Sequence, residues 1–188
     1  VTDTSFMLRV NSAPRLTANN PAELDILDDI VITNSLLAAA DDESGPQRLT
    51  YTVGPGGNGG PPRAGQLLLD GVPLGGGDTF TQADINAGLL SYSSTDTCAE
   101  TDDFQFNVRD GDGGTTPTGE FSAYTFRINL NQVHLPFTLN NTSISVGIGG
   151  SGGGQLTATD PNCSPAPLTF RLVDPDRKST RLNSSHRI

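Results

Sequence analysis

The sequence predicts an all-β protein, a β-sandwich repeated in tandem, and three observations carry that prediction. Glycine and proline number 22 and 13 in 188 residues, beside one methionine and no tryptophan, so turns are frequent. Apolar and polar residues alternate through several short runs, which places every second side chain on one face of a strand. Third, the chain matches itself: LLAAADDESGPQRLTY (36–51) aligns without a gap on QLTATDPNCSPAPLTF (155–170), 119 residues later. Leu37, Ala39, Asp41, Pro46, Leu49 and Thr50 recur as Leu156, Ala158, Asp160, Pro165, Leu168 and Thr169. FMLRVN (6–11) and FRINLN (126–131) recur at a spacing of 120. A period of that size reads as domains strung in a row, each long enough to bury a core.

In chain order, residues 1–10 are expected to be the last strand of a preceding repeat, 11–130 a complete repeat and 131–175 the truncated start of the next. Within the complete repeat, strands are expected around 24–27, 30–33 and 36–40. Leu49, Tyr51 and Val53 then alternate with threonines, and further strands fall at 66–69 and 89–92. Phe104, Phe106 and Val108 alternate with Gln105, Asn107 and Arg109, and Tyr124, Phe126, Ile128 and Leu130 alternate with polar neighbours. Seven or so short strands separated by Gly, Pro, Asn and Asp argue for a sandwich. The one helix-like stretch, FTQADINAGLLSY (80–92), reads as a single turn. Thr81 suits an N-cap, Asp84 the acid of a capping box, Phe80 and Ile85 a hydrophobic staple, and Gly88 the left-handed stop.

The last thirteen residues (176–188) differ from the rest, with Lys178, Arg177, Arg181, Arg187 and His186 crowded together. Residues 176–186 resemble the in-frame translation of a DNA-sequencing adapter, so this tail is expected to be foreign. A basic tail that binds an acidic partner is the competing reading.

The ordered motifs PPRAGQL, GVPL, FTQADINAGLLSY and DDFQFNVRDGDGG are similar in order and spacing to the chondroitin-sulfate-proteoglycan type repeat, a cadherin-like extracellular module. VNSAP (10–14) resembles the linker between tandem cadherin-like domains of bacterial surface proteins. The resemblance implies a cadherin-like, immunoglobulin-like Greek-key β-sandwich, repeated in a large extracellular or cell-surface protein that mediates adhesion.

It also raises calcium as a cofactor. Cadherins gather the ion's oxygens from an acid in the first strand, an Asp-x-Asp cluster and an Asp-x-Asn-Asp-Asn linker. By that resemblance Asp28 stands for the first-strand acid, and Asp41 and Glu43 in AADDESG for the middle cluster. The linkers VNSAP and NLNQV carry no carboxylate, and in the partial repeat Asp160 alone survives. Asp110 and Asp112 in RDGDGG resemble the opening of an EF-hand loop, but Phe121 occupies the position that loop needs for Glu. A plain turn is the favoured reading there, with weak surface calcium as the alternative.

Other motifs dissolve in context. Gly147, Gly149 and Gly152 match GxGxxG, and Gly149, Ser151 and Gly153 match GxSxG, yet QLTATDPN follows, a strand and turn where either motif needs a helix. His134 stands alone, without a second ligand at metal spacing. Cys98 has no partner within its repeat, since Ser44 occupies the position that matches Cys163, and a bridge between repeats is not favoured. Asn140 and Asn141 each begin an Asn-x-Ser/Thr sequon.

Acids outnumber bases 21 to 11, which argues against nucleic acid as a partner, and no apolar run is long enough to span a bilayer. The expectation is a non-catalytic spacer and adhesive module whose partners are neighbouring repeats of the same chain and an unidentified cell-surface or matrix ligand. The alternatives are a calcium-dependent adhesin with metal-stiffened junctions, and accessory repeats of a secreted enzyme.

Overall fold

A computed structural model describes residues 11–54, 60–113, 115–116, 123–140, 149, 157–164 and 167–170. The expected strand at 1–10, most of the glycine-rich segment around Gly149 and the tail at 176–188 lie outside the described residues. The chain divides into two compact units, Val1–Val133 and His134–Ile188.

In the first unit, β1 (Arg15–Asn19) and β2 (Ala22–Asp25) form one extended run interrupted at Pro21, a residue without an N–H to offer a ladder. Before the break, β1 pairs antiparallel with β4 (Leu37–Ala40). After it, β2 pairs parallel with β12 (Tyr124–Asn131), so the run changes partners at the proline. A six-stranded sheet has the order β2-β12-β10-β5-β8, where β5 is Thr50–Val53, β8 is Thr79–Thr81 and β10 is Thr101–Arg109. Its sixth strand, β11 (Thr115–Thr116), pairs with β10. A four-stranded sheet has the order β3-β9-β6-β7, with β3 at Asp29–Val31, β6 at Gly65–Leu69, β7 at Val72–Pro73 and β9 at Leu90–Ser94. The fold is an all-β sandwich, as the alternation predicts.

The core follows that alternation. Tyr51, Val53, Phe104, Phe106, Phe126 and Ile128 are fully buried from the larger sheet, and Leu67, Leu90 and Tyr92 from the smaller. Aromatic rings form a ladder across four strands: Tyr51 stacks on Phe80 at 4.8 Å, Tyr51 meets Phe106 at 5.6 Å, and Phe104 meets Phe126 at 5.1 Å. The last pair sits directly opposite in the β10–β12 register, the arrangement in which cross-strand rings stabilise a sheet.

The short helix α1 (Gln82–Asn86) is built by the residues the sequence nominates. The Asp84 amide donates to Thr81 Oγ1 at 3.2 Å, and the Thr81 amide donates to Asp84 Oδ2 at 2.7 Å. Phe80 and Ile85 are buried, and Gly88 takes a positive φ of 71°.

The structure departs from expectation in several places. The strand expected at 24–27 ends at Asp25, because Leu27 has φ 65° and is exposed in a turn closed by the Asp28 amide on the Asp25 carbonyl. In β4 three successive residues, Leu37, Ala38 and Ala39, are buried, because α1 covers the strand and Gln82 Oε1 accepts the Ala39 amide at 2.7 Å. Strands β1, β7, β8 and β11 were not anticipated. Finally, neither cysteine is free. Cys98 and Cys163 are both disulfide-bonded, although the sequence gives Cys98 no partner within its own repeat, and disulfides suit an oxidising compartment.

In the second unit, β13 (Thr138–Leu139) pairs antiparallel with β14 (Ala158–Thr159). Thr138 faces Thr159 and Leu139 faces Ala158. Asn162 ties the segment before β13 to the turn after β14, since its Oδ1 accepts the Leu135 amide and its Nδ2 donates to the Leu135 carbonyl, both at 2.8 Å.

Candidate functional site

The residues singled out for chemistry collect mainly at one end of the first unit. Asp41, Glu43 and Ser44 lie in the loop after β4, and Asp110 and Asp112 lie in the loop after β10. Asn11 and Ser12 bring the linker into the same place. Asp110 is fully buried. Its Oδ2 accepts Asn11 Nδ2 at 2.8 Å, its Oδ1 accepts the Asp112 amide at 2.8 Å, and its carbonyl accepts Ser44 Oγ at 3.3 Å. Asp41 Oδ1 accepts the amides of Glu43 and Ser44 at 3.0 and 2.7 Å. Glu43 Oε2 accepts Ser12 Oγ at 2.6 Å. Arg48 pairs with Asp112, and Arg15 with Asp42 at 3.0 Å, both on the surface.

These bonds define what the acids do. A carboxylate that accepts backbone and side-chain N–H groups satisfies donors the loops would otherwise bury unpaired. Asp110 and Asp41 thus hold two loops in shape, and Asp110 and Glu43 fasten the linker to them. One oxygen stands apart: Asp41 Oδ2 is buried and has no hydrogen-bond partner.

Asp28 is not part of this end. It follows β2, which runs parallel to β12 and finishes at Asn131, across from the Thr101 end of β10, whereas Asp110 follows the Arg109 end. Its carbonyl instead accepts the Ser94 amide at 2.9 Å. Calcium needs six to eight oxygens. Among the described residues no three of His, Cys, Asp and Glu gather as metal ligands would, and the linker contributes an amide and a hydroxyl rather than carboxylates. The described acids therefore do not by themselves form a closed calcium shell.

The second polar feature is a groove of about 340 Å³ lined by Gly60, Pro61, Arg63, Ala64 and 101–103, beside one of about 250 Å³ that adds Arg127, Ile128 and Asn129. Asp102 lines both. It accepts the amides of Arg63 and Ala64, each at 2.9 Å, and the Tyr92 hydroxyl at 2.8 Å. Burial pushes the Tyr92 phenol well above its ordinary value, and the Asp102 carboxylate adds to that shift. Asp102 pins the loop that precedes β6. Sequence reading passed over it, although a signal existed: Asp102 and Asp110 share the inward parity of Phe104, Phe106 and Val108. An acid on the core-facing register of a strand must find partners.

Gln82 was also missed. It is buried, and its Oε1 accepts the Tyr51 hydroxyl at 2.6 Å as well as the Ala39 amide. Nothing in FTQADIN marks a glutamine as inward beyond its place in the first turn. His134 is exposed, at the start of the second unit.

Comparison with known proteins follows the same outline. The model of the cadherin-like family matches residues 14–130. The chain is 33% identical to human chondroitin sulfate proteoglycan 4 over 153 residues, which cover 79% of this chain and 6% of that protein. Identity to the rat protein of the same name is 36% over 93 residues, covering 48% of this chain and 4% of the relative. With human extracellular matrix organizing protein FRAS1 it is 29% over 186 residues, covering 95% and 4%. The chain thus spans about a twentieth of the length of these relatives. No solved structure matches it.

Proposed function

The chain belongs to the cadherin-like family, and from that premise we propose that it serves as a non-catalytic extracellular repeat module, acting as spacer and adhesive unit within a much longer surface or matrix protein. The relatives carry the names of a proteoglycan and of extracellular matrix proteins rather than of enzymes. Among the described residues no helix is long and apolar enough to cross a membrane.

The observation that supports the tandem reading most directly is local. In the first unit Arg15 faces Ala40 and Leu16 faces Ala39, and the Asp41 carboxylate then accepts the Glu43 amide. In the second unit Thr138 faces Thr159 and Leu139 faces Ala158, and the Asp160 carboxylate then accepts the Asn162 amide at 3.0 Å. The same strand pair and the same turn open both, so we read residues 131–175 as the beginning of another module. Concatenated copies of the 11–130 repeat test the spacer role: their maximum dimension in small-angle scattering should grow in proportion to copy number. Growth that levels off as the copies collapse on one another would sink it. Adhesion is tested by coating a surface with the chain and measuring detachment force of cells against an unrelated sandwich domain, which should release them more easily.

A second reading, calcium-stiffened junctions, draws on the buried unpartnered Asp41 Oδ2. A cation there would take most of its shell from water and bind weakly. Millimolar calcium should then raise the unfolding midpoint of the chain, and Asp41→Asn should abolish the rise, because a ligand held by the native state alone must stabilise it. An unmoved midpoint in the unmodified chain removes this reading.

A further inference from the structure

We propose that the second unit carries an N-linked oligosaccharide on Asn140, an inference that rests on the extracellular reading above. The described residues contain two sequon asparagines, Asn140 in Asn-Asn-Thr and Asn162 in Asn-Cys-Ser, and the structure treats them differently. Asn140 is exposed just past β13, where its backbone N–H donates to the Thr157 carbonyl at 2.8 Å. Its side-chain Nδ2 meets Thr159 Oγ1 at 3.3 Å on the surface. One amide hydrogen is engaged there, and the other meets no acceptor among the described residues.

At Asn162 both amide hydrogens are engaged. Nδ2 donates to the Leu135 carbonyl and to Asp160 Oδ1, while Oδ1 accepts the Leu135 amide. A sugar on that nitrogen would break one of these bonds in a part-buried position. The neighbouring Cys163, moreover, is disulfide-bonded. The overlapping sequon at Asn141 and the one at Asn183 lie outside the described residues. Asn140 is separated from Asn141 by its third residue, Thr142 in place of Ser143.

The transfer needs a lipid-pyrophosphate-linked oligosaccharide as donor. The bond from Asn140 Nδ2 to the anomeric carbon forms as the bond from that carbon to the phosphate oxygen breaks. The lipid pyrophosphate leaves with the electron pair, and Nδ2 loses one proton. The product is a secondary amide that keeps one hydrogen for Thr159, so the β13–β14 pair survives the modification. A hydrated glycan at this point would shield the edge beside Phe137 and Leu139, which are exposed.

To test this, the full chain is expressed behind a secretion signal in animal cells. Protein from the medium and from the secretory lumen is collected, and the attachment site is mapped by enzymatic glycan removal in heavy-oxygen water followed by peptide mass spectrometry. Isotope label at Asn140 is the expected result, retained in Asn162→Gln and in Ser143→Ala and lost in Thr142→Ala. Label at Asn141 or Asn162 in the unmodified chain, or an unlabelled chain in both pools, overturns the assignment. A labelled chain that stays in the lumen supports it while counting against the secreted reading.

Discussion

Gly65 shows how closely a single position is constrained. It pairs with Ser94 in the β6–β9 ladder, and a Cβ placed on it would run into the Ser93 carbonyl and the Tyr92 ring. One of these is backbone, so no side-chain rotation relieves the clash. Gly65→Ala should therefore destabilise the unit by about 1–3 kcal/mol, the usual range for forced overpacking, read as a lower urea midpoint at unchanged slope. An unchanged midpoint would mean that β6 and β9 do not approach each other there as described. Tyr51 and Tyr92 carry the pH dependence. Burial raises both phenols far above their ordinary value; for Tyr92 the Asp102 carboxylate reinforces the effect, and for Tyr51 the Ala39 backbone opposes it. The unfolded chain releases these protons near pH 10 and the folded chain holds them. Their contribution is thus complete below pH ~10 and declines above it by about 1.4 kcal/mol per pH unit for each tyrosine. Tyrosinate absorbance should show Tyr51 and Tyr92 ionising only as the fold is lost; early ionisation of all three tyrosines would contradict their burial.

At the scale of elements, α1 illustrates two kinds of legibility. The helix ends were readable because capping is local: Thr81 Oγ1 and Asp84 Oδ2 accept each other's amides, and the Gly88 amide donates to the Ile85 carbonyl. What the helix is for was not readable, since Gln82 reaches β4 and β5, 43 and 31 residues away. The two roles should separate by magnitude. Thr81→Ala removes a cap and should lower stability by about 1 kcal/mol. Gln82→Leu strands the Ala39 amide and the Tyr51 hydroxyl in the core and should cost about 3 kcal/mol. Equal losses would show that the cap, rather than the link to β4, governs this element. Leu27 belongs here too. Its apolar character suggested a longer β2, but the chain must turn from one sheet to the other after Asp25, and a left-handed residue disfavoured by about 1–2 kcal/mol is accepted to do so. Leu27→Asn should raise the thermal midpoint, as asparagine enters that conformation more readily.

For the whole molecule, the aromatic ladder and both sheets lie within the first unit. A chain ending at Val133 should accordingly unfold in one cooperative transition in reducing buffer, by circular dichroism and by tyrosine fluorescence alike. Separate transitions for the two probes would mean its core needs the rest of the chain. The sequence by itself determined the all-β class, the strand faces and the helical stop, because alternation and capping are set by neighbours a few residues apart. Its motifs likewise brought forward Asp28, Asp41 and Glu43 by one resemblance and Asp110 and Asp112 by another, without joining the two. The tertiary structure alone decided that Asp28 belongs to the opposite end, that the acids hold loops and linker by accepting N–H groups, and that Asp102 and Gln82 matter. Those facts depend on which strands become neighbours in space. Hydrogen bonds spanning 31 to 99 residues leave no periodic trace in the chain that makes them.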